Sequence, residues 1–141
     1  MSPDLAPLRL LDGAVQILAL EQFTDSRGSL TPLTLEEFGF HVARAFVITA
    51  PRGAVRGGHA HRRVRQVLFR AGGTIDVDVR RGDETARISL DERHPALLIE
   101  AGVWAQQTYR DDGATLIVFA DGPYEAAEYT EVDPRDDQAA S

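Results

Sequence analysis

No cysteine and no lysine occur among the 141 residues. Without cysteine there is no disulfide framework, no thiolate nucleophile and no sulfur ligand for a metal. Without lysine no substrate carbonyl can be held as a Schiff base on a side-chain amine, and all 15 basic residues are arginines. No apolar run approaches the roughly 20 residues that cross a bilayer as a helix. Positive charge is also short: the formal net charge is -7, opposite to the basic footprint that nucleic acid favours. The start, MSPDLAPLRL, carries an acidic residue and no basic cluster ahead of an apolar segment, so it does not read as a secretory signal. The expectation is a cytoplasmic protein with neither membrane nor nucleic acid among its partners.

What is present suits a globular chain: 43% hydrophobic and 26% charged residues, over a length that can bury a core as one domain spanning 1–141. The signal along it is strands. Short apolar or alternating runs stand at 14–20, 43–50, 67–71, 74–80, 86–90, 96–100 and 115–120, separated by turn clusters such as DSRGS, AGG, RRGDE and RDDG. Ile75, Val77 and Val79 alternate with Asp76, Asp78 and Arg80, which predicts a strand with one wet face, returned by the RRGDE turn. Only LTLEEFGFH (33–41) looks helical. The pattern predicts an all-β sandwich or barrel with a core over about 14–133 and a solvated acidic tail over 134–141.

One stretch carries chemistry: VRGGHAHRRVRQ, residues 55–66. If it is extended, His59 and His61 share a face, about 6–7 Å apart along the strand. Gly53 is followed by five residues, then His59-Ala60-His61, four residues, Gln66, six residues and Gly73. This spacing resembles the first motif of the cupin superfamily, small β-barrels that hold ligands in the barrel mouth. Metal-binding cupins have a glutamate where Gln66 stands, and a third histidine where EAGVWA (100–105) has Ala105. A divalent ion prefers imidazoles plus an anionic oxygen, so two neutral rings and an amide make a poor ligand set. The pair is read instead as proton-handling groups that titrate near neutral pH, with no metal and no cofactor.

The pieces DSRGSL (25–30), VRGGHAHRRVRQ (55–66), GVW (102–104) and the acidic, tyrosine-bearing YEAAEY (124–129) resemble one cupin branch over roughly residues 20–133. That branch is the dTDP-4-oxo-6-deoxyglucose 3,4-ketoisomerases, or WxcM-like sugar 3,4-ketoisomerases. The resemblance implies an RmlC-like jelly-roll β-barrel and a homodimer. It also implies an isomerase that turns a dTDP-4-keto-6-deoxyhexose into its 3-keto isomer through an enediolate, for deoxyamino-sugar biosynthesis. His59 and His61 are then the catalytic residues, with His61 as the base and His59 as its partner. Arg56 and Arg27 are candidates for the pyrophosphate, Gln66 for sugar hydroxyls or for orienting an imidazole, and Trp104 for a flat wall. Both His61 and Gln66 can face the cavity only if the strand breaks or bulges between them. Arg62, Arg63 and Arg65 are expected to be solvated. The chain departs from the branch at Phe46 and Val47, where relatives often carry tyrosine, and at Ala105. Tyr109, Tyr124 or Tyr129 would have to supply a missing phenol. Two other readings share the motif: a related sugar-nucleotide epimerase, and a non-catalytic cupin that binds a sugar nucleotide.

Overall fold

The alternation at 75–80 forms the strand it predicts: Ile75, Val77 and Val79 are fully buried, and a two-residue turn at Gly82 and Asp83 returns the chain. The computed structural model describes residues 8–125 and, as backbone, residues 129–130. The expected acidic tail, the side chain of Tyr129 and the first seven residues lie outside the described residues. The strands are β1 (Leu8–Leu10), β2 (Val15–Ile17), β3 (Phe23–Asp25), β4 (Gly28–Leu30), β5 (Arg44–Ala50), β6 (Val55–His61), β7 (Gln66–Gly72), β8 (Ile75–Arg81), β9 (Glu84–Leu90), β10 (Ala96–Ile99), β11 (Trp104–Tyr109), β12 (Ala114–Ala120) and β13 (Tyr129–Thr130). No helix among the described residues is long and apolar enough to cross a membrane.

A six-stranded sheet runs β1-β2-β10-β7-β12-β5 and a five-stranded sheet runs β13-β6-β11-β8-β9, with β3 and β4 as a separate hairpin. This is the all-β sandwich expected, with jelly-roll crossings between the sheets. Leu68, Val77, Val79, Leu90, Leu97, Leu116 and Val118 fill the space between the sheets. Each such side chain removed from water stabilises the fold by about 1.5–3 kcal/mol, so this layer sets the sheet spacing. A second apolar layer lies outside the six-stranded sheet, where Leu18, Leu20, Leu35 and Phe40 cover Val67, Ala96 and Leu98. All four residues of β10 are therefore buried, which is why that strand reads as an unbroken apolar run.

The helical expectation at 33–41 shrinks to one 3-10 turn, Leu35–Phe38. Thr34 gives no side-chain cap, and Gly39 at φ +70° ends the turn in the left-handed region. The wet face of β8 is also drier than its sequence suggests. Asp76 is buried and accepts hydrogen bonds from Ser89 Oγ at 2.6 Å and Arg110 Nε at 2.7 Å. Burial raises its proton affinity, but those bonds outweigh it and hold the carboxyl below its ordinary value.

Tyr109 is fully buried in the inter-sheet core, and its hydroxyl has no hydrogen-bond partner among the described residues. Burial pushes the phenol up to about 12, with Arg56 pulling weakly the other way. An unsatisfied buried hydroxyl costs about 1–3 kcal/mol, so Tyr109→Phe is expected to stabilise the protein by about 1 kcal/mol. The melting temperature at pH 8 should rise by about 3 °C, and an unchanged or lower value would show that the hydroxyl is bonded. The native phenol holds its proton more tightly than the unfolded one. Its stability contribution is complete below about pH 10 and is lost as pH rises toward about 12, so the variant's advantage widens in that window.

Candidate active site

Two strands that no apolar pattern announces, β6 and β11, build the site. They pair antiparallel with Ala105 opposite His59, Gln106 opposite Gly57 and Gln107 opposite Arg56, so Gly58 is an extra residue, a β-bulge. Gly57 and Gly58 both sit at φ +82°, a region that other residues enter only with strain. The bulge resets the alternation. Arg56 and His59, an odd number of residues apart, thereby come to line the same cavity. A Cβ built on Gly58 would point instead toward Gln106 and Trp104, on the outer side.

His59 and His61 share the inner face. Their ring centroids are 5.4 Å apart at an interplanar angle of 86°, an edge-to-face arrangement. His61 is buried, and His59 is half-buried. The two rings border different spaces. His59 opens on an outer chamber of about 310 Å³, lined also by Arg44, Phe46, Arg56, Gln66 and Gln107. His61 lies in an inner recess of about 10 Å³, room for about one water, shared with His59, Gln66, Glu100, Ala105 and Gln107. The chain leaves β6 at His61 and enters β7 at Gln66, so a strand break does bring His61 and Gln66 to one cavity.

The mouth is cationic and aromatic. The Arg44 guanidinium stands 4.5 Å from the Phe46 ring centroid and 5.2 Å from that of the exposed Tyr124. Stacking of this kind holds a guanidinium flat with its donors turned outward. Arg44, Gln107 and Glu100 line these spaces beside the histidines and were not among the candidates read from the sequence. A signal for Gln107 existed: the cupin motif marks position 105 as inward, and a residue two further along a strand shares its face.

Two expected site residues lie elsewhere. Trp104 is not a wall of this cavity. The period of two along β11 sends Ala105 and Gln107 inward and Trp104 outward, where Arg80 covers its ring at 4.5 Å. Arg27 sits in the β3–β4 turn with an 88% exposed side chain, bonded to Asp25 at 2.6 Å, and lines neither histidine space. Asp25 in turn is lowered from its ordinary value by the Arg27 side chain and backbone N–H. Among the three arginines after the histidines, Arg62 and Arg63 are exposed as expected. Arg65 is not: its Nε donates to Asp121 at 2.8 Å and its Nη2 to the Gly39 carbonyl at 2.7 Å. Tyr109 cannot replace the missing phenol, because its hydroxyl belongs to the core.

A larger cleft of about 740 Å³ lies between the β3–β4 hairpin and the β9–β10 loop, lined by Gln22, Thr24, Ser29, Arg70, Glu92 and Arg93. No histidine is among its described lining residues, so size and chemistry point to different places, and chemistry selects the histidine cavity. For an ion the recess is lined by two imidazoles, the Gln66 and Gln107 amides and the Glu100 carboxylate. Among the described residues, no three histidine, aspartate or glutamate side chains form a metal-holding group.

Residues 13–136 match the family described as FdtA: WxcM-like, C-terminal. The chain belongs to this family. The TDP-4-oxo-6-deoxy-alpha-D-glucose-3,4-oxoisomerase of Aneurinibacillus thermoaerophilus is 27% identical over 116 residues, covering 81% of this chain and 84% of the relative. The WlaRB TDP-quinovose 3,4-ketoisomerase of Campylobacter jejuni superposes with a TM-score of 0.76 at 31% identity, over 84% of this chain and 92% of its own. The 3,4-ketoisomerase QdtA of Thermoanaerobacterium thermosaccharolyticum, solved as a histidine-to-asparagine variant with TDP-4-keto-6-deoxyglucose, superposes at 0.78 with 26% identity, over 84% and 88%. Their cupin-like sandwich is the fold of this family member.

Proposed function

We propose that this WxcM-like protein is a sugar-nucleotide 3,4-ketoisomerase acting on a dTDP-linked 4-keto-6-deoxyhexose. The observation that carries the reading is the imidazole pair: two rings edge to face at 5.4 Å, opening through His59 onto a chamber with guanidiniums at its mouth. The named activities of the relatives support the same substrate class.

The reaction moves a carbonyl from C4 to C3 with no net change in electrons. A neutral imidazole removes the proton at C3, and the C3–H electrons form a C3–C4 double bond while O4 takes the negative charge. A protonated imidazole, or the amide N–H groups of Gln66 and Gln107, donates to that oxygen. Proton delivery to O4 from an imidazolium, return of a proton to C4 and loss of the O3 hydroxyl proton to a neutral imidazole complete the 3-keto product. His59 borders the chamber and is the ring that meets the sugar; His61 lies behind it as the proton reservoir. The geometry favours this order over the one with His61 as the base.

Arg56 and Arg44 receive the pyrophosphate. A planar guanidinium fork matches phosphate oxygens, and the Phe46 and Tyr124 rings hold Arg44 in place. The protein works as a single-domain homodimer. Phe23 and Leu30 on the exposed hairpin, and Val47 on the edge strand β5, are apolar surface that association would cover. The 3-keto product suits a transaminase making a 3-amino sugar, in the cytoplasm.

Incubation with dTDP-4-keto-6-deoxyglucose in heavy water tests the reading. NMR should show deuterium at C4 and a carbonyl moved to C3, trapped on adding a 3-aminotransferase. Deuterium exchange with the carbonyl still at C4 identifies an epimerase. Binding without exchange identifies a non-catalytic cupin.

A further inference from the structure

Among the described residues, the recess behind the imidazoles is lined by one carboxylate, Glu100. It lines that space with His59, His61, Val64, Gln66 and Gln107. Backbone bonds fix its place. The Glu100 N–H donates to the Ala14 carbonyl at 2.9 Å, and two residues on the Gly102 N–H donates to the His61 carbonyl at 2.7 Å. The β10–β11 turn is thus stitched to the end of the histidine strand. Ala105, opposite His59, brings no polar group to the same space.

The charges around the pair are unequal. Arg44 and Arg56 face His59 from the outer chamber, and the two rings oppose each other's protonation. All of these drive protons off the imidazoles. Among the described lining residues, Glu100 is the group that acts the other way. Arg65 Nη1 lies 3.8 Å from Glu100 Oε2, but that arginine is committed at shorter range to Asp121 and Gly39, so it neutralises Glu100 only loosely. The Glu100 side chain is 40% exposed and so exchanges protons with water, while His61 is buried.

Resting on the isomerase reading, we propose that Glu100 is a positioning residue for proton transfer: its carboxylate keeps one proton on the imidazole pair, so that acid and base are present together, and it connects His61 to solvent. A pair with no proton has a base and no acid, and a pair with two has an acid and no base. The singly protonated state is the one the isomerisation uses, and a carboxylate at the His61 end stabilises it.

Titration of the four histidines by NMR, on the whole protein without ligand, tests this. In Glu100→Gln the midpoint of the His59–His61 pair should fall by about half a pH unit or more. The exposed His41 and His94 should not move, and Glu100→Asp should restore most of the difference. In the isomerase assay the acidic limb of the kcat profile should move down with the NMR midpoint. An unchanged pair midpoint in a variant with an intact amide spectrum overturns the proposal, as does an equal shift at His41 and His94. The titration needs no turnover. If the wild type leaves 4-keto sugar nucleotides untouched, the isomerase reading fails while the role of Glu100 is still decided.

Discussion

Replacing His59 by asparagine is expected to lower kcat about a thousandfold, within the range by which a positioned general acid or base accelerates proton transfer. That corresponds to about 4 kcal/mol of barrier. Asparagine keeps a polar side chain at the position and loses only the ability to exchange a proton near neutral pH. Affinity for TDP should stay within about threefold, because the pyrophosphate is assigned to Arg44 and Arg56 at the mouth and not to the ring. His61→Asn acts one step removed from the sugar, so its loss should be smaller, about thirtyfold to a hundredfold. The double variant should be little worse than His59→Asn alone, since the two rings act as a unit. The measurements are NMR turnover of the 4-keto sugar nucleotide and calorimetric binding of TDP. A His59→Asn protein with kcat within threefold of wild type would remove the imidazole pair from the mechanism.

Gly57→Ala is the second large effect, and it acts through the backbone. At φ +82° a side chain costs about 1–2 kcal/mol before any contact is counted. The added Cβ would also stand 3.0 Å from the Ala105 carbonyl oxygen and 3.0–3.2 Å from the Gln107 amide atoms. The carbonyl belongs to the β6–β11 pairing and cannot retreat without opening it, so the Gln107 amide must give way. That amide lines both the chamber and the recess. The expected result is a loss of about 2–3 kcal/mol of stability together with a fall of more than tenfold in kcat. Gly82→Ala is the control. Its φ is +62° in the β8–β9 turn, and nothing lies within 4 Å of the added carbon. It should cost about 1 kcal/mol and leave kcat unchanged. Equal losses of activity in both variants would show that the bulge has no specific hold on the site.

The strands legible in the sequence and those that were not differ in a physical way. β5, β7, β8, β9, β10 and β12 bury apolar faces, so their residues alternate or run apolar, and the reading finds each within a few positions. β6 and β11 turn histidine, arginine and glutamine toward a polar cavity. Such strands lose the apolar face by which strands are recognised, and β6 further carries two glycines that break its period. The elements that build the site were for that reason the hardest to see as strands. The motif spacing around His59, His61 and Gln66 picked out three residues that line one cavity, independently of any apolar period.

The composition and spacing of the chain by themselves determined an all-β fold without thiol or amine chemistry, and singled out the imidazole pair. Those follow from residue identity and from the two-residue repeat, which are local. Only the tertiary structure decided which neighbours join the pair. A one-residue bulge at Gly58 turned Arg56 inward, the unbroken alternation of β11 turned Trp104 out and Gln107 in, and the hydrogen-bonded turn after β10 carried Glu100 to the recess. Facing depends on register between strands distant in sequence, and register is set by pairing and burial across the whole sheet.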